Sequence, residues 1–449
     1  MHYESLTDME VTLLSEHHHA SDHDHAGRVF LALFLLLCLV PSVGMLIFGG
    51  SKAGANEIRT PKPALTEKDG SYNLNYLSQL SDYLSERLFF RQEAITVRNR
   101  LSTSLLVTSP NEKVTLGRGG WLFYTESLAS EPLSEKELWC AAENLRLLEE
   151  AARSRGSDFL FVLCPNKSSV CTDMVSTGHI NNDGQHLEAK LREMGVSYSS
   201  LYPVLAFHEE YFYAADSHWN GLGAAAAADA VFSALGRRTS FGDGPFTEGS
   251  GHAGDLSAML YPAWPDVESD WLYPFSFRYT SNYHAPNDPL ITTEGDGRGS
   301  LYCYRDSFGN DLHPYLAEGF QTATFSRKAA YDLTVPEADV VLIELVERNI
   351  DYLYRYDHLY PAPERDRAPA AKEAEAVSVR VINTGSLVRV SGSLEGFDPA
   401  PIYIRTGDKL YECAPQSDGF TVCLPEFDGE GTVLYQKHER YYAAPIITE

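Results

Sequence analysis

Basic residues are scarce in this sequence. Lys and Arg total 36 against 62 Asp and Glu, a formal net charge of -26. Nucleic acids and anionic membrane surfaces are held by clustered Lys and Arg, so the deficit excludes both as partners. Cysteines number 7 in 449 residues, too few for a disulfide-dense scaffold. Long apolar runs are absent but for one. Val29 to Phe48, VFLALFLLLCLVPSVGMLIF, holds no charge over the length needed to cross a bilayer.

That run reads as an uncleaved single-pass anchor, residues 29–50. The competing reading is a cleaved signal peptide, for which Ala53-Gly54-Ala55 offers a small-residue site. The run exceeds a usual signal core, and the tail before it is acidic, which favours the anchor. Arg28 precedes the span while Lys52, Arg59 and Lys62 follow it, against the positive-inside rule for an external C-terminus. Long domains translocate largely regardless of such charges, so the expected location is the cell membrane with the large domain extracytoplasmic. Residues 1–28 read as a disordered tail. Their HHHASDHDH tract has metal-ligating side chains but nothing apolar around it to fix a geometry.

Apolar content of 44% supports a large core, and the length suits two or three domains. Residues 51–70 read as a linker and Tyr72 to Leu106 as helical. VTLGRGGWLFY (114–124) reads as a hairpin and Ser134 to Arg153 as an amphipathic helix. From FLFVLCP (159–165) onward, strands alternate with helices. The strands fall at 196–201, 300–306, 322–326 and 339–345, and the helices at 186–194, 221–235 and 312–318. Buried apolar strands separated by helices imply an α/β domain, its parallel sheet covered on both faces. Residues 240–298 read as a loop-rich insertion whose Trp264, Trp271, Tyr273 and Tyr283 serve either sugar stacking or packing. Residues 362–377 read as a second linker. Residues 378–449 alternate with period two and turn often, as in a small β-sandwich. There Cys413 and Cys423 flank a turn, and Cys164 and Cys171 form a second candidate pair. Both pairs read equally as free thiols.

Ligands of open parallel sheets bind at the carboxyl ends of the strands. Two polar clusters fall there: Asp216-Ser217-His218-Trp219, and Arg305-Asp306-Ser307-Phe308-Gly309-Asn310. A serine hydroxyl needs a neighbouring base to act as a nucleophile, and a carboxylate can fix the tautomer of that base. Ser307, His218 and Asp216 supply the three types. Each cluster also reads as a helix cap, the commoner role of such residues.

The pair DSHWNGLGA and YRDSFGN resembles the SGNH-hydrolase-like family, in the branch of the AlgJ and AlgX proteins and the DHHW proteins. VTLGRGGWLFY, LFVLCPNKSSV (160–170) and DVVLIELVERNI (339–350) extend the resemblance over roughly residues 70 to 360. It implies an SGNH-like domain over 71–361, with a helical lead-in and the Asp-His block placed before the serine block. It further implies Ser307 as nucleophile, His218 as base and Asp216 as its partner. Arg305 departs from the Gly that ordinary SGNH enzymes carry before Asp-Ser. The oxyanion and substrate candidates are Arg348, Asn349, Asn166, Lys167, Arg305 and Trp219. The implied activity is O-acetylation of an exported polysaccharide through an acetyl-serine, without cofactor or metal. A multi-pass membrane acyltransferase is the implied donor. An acetylesterase of the same fold and a non-catalytic polysaccharide-binding protein are the alternatives.

Overall fold

The computed structural model describes residues 7–448 except 55, 56, 130, 177, 179, 274, 275, 335 and 336, with backbone alone at 7–26, 129 and 250. The chain divides into two compact units. One comprises Met1–Asn111 and Ser257–Asp266, the other Glu112–Leu256 and Val267–Glu449.

In the first unit, helix α1 (Thr7–Phe48) contains the apolar stretch Gly27–Phe48, long and apolar enough to cross a membrane and only 6% buried. The stretch expected as a disordered tail is thus helical from Thr7, while residues 1–6 and the side chains of the histidine tract lie outside the described residues. Helices α2 (Tyr76–Ser85) and α3 (Arg91–Leu105) follow. They are separated at Phe90, whose left-handed φ of 61° breaks the expected continuous helix.

The second unit opens with the expected hairpin, β1 (Val114–Leu116) against β2 (Leu122–Tyr124). Helix α4 (Glu135–Ser154) starts at a capping box, with Ser134 and Glu137 bonding each other's backbone N–H. β3 (Asp158–Cys164), α5 (Asp183–Met194), β4 (Tyr198–Ser200) and α6 (Gly221–Ala234) come next. The insertion then forms a hairpin of β5 (Thr247–Ala253) and β6 (Val267–Leu272), followed by β7 (Tyr279–Ser281) and β8 (Leu290–Gly295). β9 (Ser300–Tyr304), α7 (Gly309–Gly319), β10 (Thr322–Ser326) and β11 (Val340–Val346) complete the layer structure.

The sheet order is β4-β3-β11-β9-β10-β8-β7. The first five strands are parallel, as expected, but β8 and β7 join antiparallel at one edge. The insertion is therefore part of the sheet. Its Gly and Pro punctuation hid the short alternation that buries Ile291 and Thr293 of β8. All seven residues of β11 are buried, which requires cover on both faces. α4 packs with α5, and the alanine-rich α6 packs with α7.

The C-terminal strands are β12 (Ala371–Glu373), β13 (Val377–Asn383), β14 (Val388–Ser393), β15 (Ile402–Thr406), β16 (Lys409–Gln416), β17 (Gly419–Leu424), β18 (Thr432–Lys437) and β19 (Arg440–Thr448). They run β19-β13-β14-β17-β16-β15-β18, and β18 pairs again with β19. This is a closed barrel where a sandwich was expected, with β12 added beside β19. Closure depends on β19, which pairs β18 through Arg440–Pro445 and β13 through Ile446–Thr448. Alternation of side chains is the same in sandwich and barrel, so the sequence pattern did not separate them. The expected linker is tied down as well. Arg365 pairs with Glu150 of α4 and Glu412 of β16, each at 2.6 Å.

All seven cysteines are free thiols. Ala414 pairs Thr421 across β16 and β17, so Cys413 and Cys423 are one residue out of register and face opposite sides.

Candidate active site

Strands β3, β11 and β9 are neighbours, so their carboxyl ends bring three loops to one edge of the sheet. These loops carry Asn166-Lys167, Glu347-Arg348-Asn349 and Arg305-Asp306-Ser307. The Asp216-His218 loop, just before α6, meets them there. Asn220 caps α6, its side chain accepting from the N–H groups of Leu222 at 3.0 Å and Gly223 at 3.2 Å. The cap reading of Asp216 and Ser217 is thereby replaced, and Asp216 is left for other work.

His218 Nδ1 lies 2.7 Å from Asp216 Oδ1, and His218 Nε2 lies 2.8 Å from Ser307 Oγ. The three side chains form one hydrogen-bonded chain. Asp216 is buried at 4% exposure. Burial raises its pKa, but hydrogen bonds from His218 and His252 outweigh this and hold it well below the usual 3.8. His218 is pulled down by burial and more strongly up by the bond and charge of Asp216, so it stands above its ordinary 6.5.

Asp306 shapes the serine turn. Its Oδ1 accepts from Phe308 N–H at 2.9 Å, and its Oδ2 from Val346 N–H at 2.8 Å and Asn349 Nδ2 at 2.9 Å. The helix-cap reading of the Asp-Ser pair is not met, since α7 has Phe308 at its N-cap without a side-chain cap bond. Asp306 closes the turn ahead of the helix, and the Ser307 hydroxyl meets His218. Gly309 is required behind it: an added Cβ would lie 2.7 Å from Arg305 Cβ and 2.8 Å from Glu344 Oε2.

The other candidates separate. The Arg348 guanidinium lies 5.4 Å from the Phe308 ring, and its charge opposes protonation of His218. Asn166 is buried and accepts from Arg348 Nη1 at 3.5 Å. Asn349 braces Asp306. Lys167 was expected at the substrate rim but is buried, with its ammonium donating to the carbonyls of Tyr213 at 3.0 Å, Ala214 at 3.2 Å and Asp216 at 2.5 Å. Desolvation lowers it to about 8. It holds the Asp-His loop rather than a ligand. Arg305 is likewise buried and turned away, bonding Asn310 Oδ1 at 2.5 Å and the carbonyls of Pro286 and Asp288. Trp219 is fully buried with its ring edge-on to Phe308 at 5.0 Å, a core residue and no substrate contact.

Several participants escaped the sequence, and all belong to the insertion. His252 Nε2 lies 2.9 Å from Asp216 Oδ2, and its ring stacks on Tyr213 at 4.0 Å. A bulge between Gly249 and His252 turns this residue inward. Asp255 donates its N–H to Asp216 Oδ2 at 2.9 Å and accepts from Ser217 N and Oγ, both at 2.7 Å. Glu268 accepts from the N–H groups of Ala214 at 2.7 Å and Ala215 at 2.8 Å. Nothing in HAGD (252–255) distinguishes it in sequence from ordinary loop residues. Tyr273 packs against Phe241, Phe277 and Tyr315, which places it in the packing role. Asp216, His218 and Asp255 have ligand atoms within 4.8 Å of one another, and these atoms are engaged in the bonds above.

Residues 114–283 match the family described as SGNH hydrolase-like domain, acetyltransferase AlgX. No curated protein matches the chain. Among solved structures it is similar to the O-acetyltransferase domain of Pseudomonas putida AlgJ, at 18% identity and TM-score 0.40, covering 54% of this chain and 93% of that one. Bacillus cereus PatB1 gives 16%, 0.44, 54% and 98%. A DHHW family protein from Eubacterium siraeum gives 16%, 0.40, 54% and 94%. The matched segment holds Asp216 and His218 and stops short of Ser307. Over residues 114–283 the chain is thus similar to the SGNH-hydrolase-like domain of the AlgX type.

Proposed function

We propose that this chain is a membrane-anchored, extracytoplasmic O-acetyltransferase acting on a cell-surface or secreted polysaccharide. The observation that carries the proposal is the continuous hydrogen-bonded chain Asp216–His218–Ser307 at a sheet edge. In the first half-reaction, Ser307 Oγ attacks the acetyl carbonyl while His218 Nε2 takes the hydroxyl proton. Asp216 holds the Nδ1–H tautomer and stabilises the imidazolium. The tetrahedral intermediate collapses to acetyl-serine, and the leaving group departs with the proton from His218. In the second half-reaction, His218 takes a proton from a sugar hydroxyl whose oxygen attacks the acetyl carbonyl; the intermediate collapses, and Ser307 Oγ leaves with the proton returned by His218. Arg348, whose guanidinium lies 5.4 Å from the Phe308 ring and whose charge is felt by His218, is assigned to the developing oxyanion.

The anchor supports transfer over hydrolysis, since it keeps the site near a membrane-borne donor, proposed to be a multi-pass acyltransferase. Water in place of the sugar would make the same site an esterase. The test uses a chromogenic acetyl ester with and without oligosaccharide acceptors. Wild-type protein releases the chromophore, Ser307→Ala releases none while keeping its circular dichroism, and acceptors become acetylated. Full activity in Ser307→Ala would sink the site assignment. Acetate alone as product, whatever the acceptor, would favour hydrolysis.

A further inference from the structure

Helix α3 is amphipathic in the reverse sense of a water-facing helix. Its polar residues Gln92, Thr96 and Asn99 are buried. Gln92 Nε2 donates to Glu57 Oε2 at 2.9 Å, Thr96 Oγ1 accepts from Ala263 N–H at 3.0 Å, and Asn99 Nδ2 donates to the Leu260 carbonyl at 2.7 Å. The opposite face presents Val97, Leu101 and Leu105 at 51%, 54% and 72% exposure. Phe90 and Leu106 extend this apolar strip at either end, and together these side chains line an open groove. A helix bordering water turns its apolar stripe inward, and contiguous exposed apolar surface marks an interaction site.

The adjoining turn says what covers it. Phe89 N–H donates to the Pro41 carbonyl at 3.2 Å, and the Phe89 ring stacks on Phe48 at 5.3 Å. An added Cβ on Gly44 would lie 2.4 Å from the Phe89 ring, so the two segments are in close contact. Pro41, Gly44 and Phe48 all belong to the apolar stretch of α1. Phe90 follows at once and begins the α3 strip. The apolar surface of α1 is therefore continuous with that of α3, and the medium surrounding the end of α1 also meets α3.

We propose that the apolar face of α3 lies in the interfacial layer of the bilayer that α1 crosses, as a second, in-plane membrane contact. The proposal rests on the membrane-anchor reading of α1. Glu93 and Arg98 border the groove with opposite charges, so attraction comes from burying apolar side chains and does not need anionic lipid. Such a contact restrains the chain's departure from the membrane by two elements instead of one.

The full chain, reconstituted in phosphatidylcholine vesicles, provides the test. Cys38 is the one exposed cysteine and the other six are buried, so a Cys38→Ala background admits single labels. An environment-sensitive fluorophore is attached to Val97→Cys or Leu101→Cys, with Leu36→Cys in α1 and Glu426→Cys in the barrel as references. The expected result is loss of most α3 emission to spin-labelled lipid and little to aqueous iodide, as at Leu36 and opposite to Glu426. Quenching by iodide at α3 would overturn the proposal. Protection from both quenchers would also overturn it, assigning the face to a second copy. If Leu36→Cys escapes lipid quenching as well, the anchor reading falls and the proposal with it; lipid quenching at Leu36 alone isolates the failure to α3.

Discussion

His218 takes up protons more readily than a free imidazole because the Asp216 carboxylate sits on its Nδ1. Only the neutral ring can accept the Ser307 proton, so kcat/KM should rise with pH through a value above 6.5. Asp216→Asn should lower kcat by about 10⁴, the scale for loss of the orienting carboxylate, and move that limb to lower pH; an unchanged profile would show that His218 is not the base. For stability the two signs are opposite. The raised pKa of His218 gives a contribution fully present below 6.5 and lost as pH rises through its native value. The lowered pKa of Asp216 gives one present above 3.8 and lost as pH falls through its native value. His252 binds the other carboxylate oxygen at 2.9 Å. A hydrogen bond to a charged group is worth roughly 1.5–3 kcal/mol. His252→Phe, which can keep the stack on Tyr213, should therefore cost about tenfold in kcat, and His252→Gln should recover part of it. Equal activities for the three proteins would show that Asp216 does not need this partner.

At the scale of elements, the β5–β6 hairpin and the residues beside it are the clamp on the Asp-His loop. His252, Asp255 and Glu268 all bond it. The contact is tight at Gly254, where an added Cβ would lie 2.1 Å from the Ala215 carbonyl oxygen and 2.9 Å from Asp216 N. Those are backbone atoms and cannot swing aside. Gly254→Ala should thus push the clamp off the loop, lowering kcat while the parallel sheet keeps its far-ultraviolet signal. Wild-type kinetics in this variant would contradict the clamp. The helix-opening serine box at Ser134, the β11 run and the β1–β2 turn were all legible, since each depends on neighbours in sequence. The clamp was not. Its residues come from 36 to 54 positions beyond the loop they bind, and no local pattern records that pairing.

At the scale of the whole second unit, the barrel is fastened to the sheet layer by charges that no short stretch contains. Arg146 of α4 lies 2.5 Å from Glu143 and 2.8 Å from Glu412 of β16, and Arg365 bridges Glu412 and Glu150. Asn144 adds a bond to the Pro415 carbonyl at 2.7 Å. Glu412 is 4% exposed, so Glu412→Ala would leave two arginines without their shared carboxylate. A loss of about 3–5 kcal/mol is expected, read as a drop in denaturant midpoint. A change below about 0.5 kcal/mol, the range of ordinary surface substitutions, would mean the barrel is held by its apolar contacts alone.

Composition and spacing by themselves determined the acidic, non-nucleic-acid character of the chain, its apolar N-terminal helix and its alternating strands and helices. They also singled out Asp216, His218 and Ser307 as candidates; of the strand ends expected for them, only that of Ser307, after β9, is met, while the Asp216–His218 loop precedes α6. These features follow from local periodicity and residue chemistry, which act over a few positions. Tertiary structure decided the rest. It buried Lys167, Arg305 and Trp219 and engaged the two cations with backbone and side-chain partners. It closed the barrel through β19, set Cys413 and Cys423 on opposite faces, and brought His252 to Asp216. Each of these depends on register or on contact between distant segments, where a shift of one residue reverses which way a side chain points.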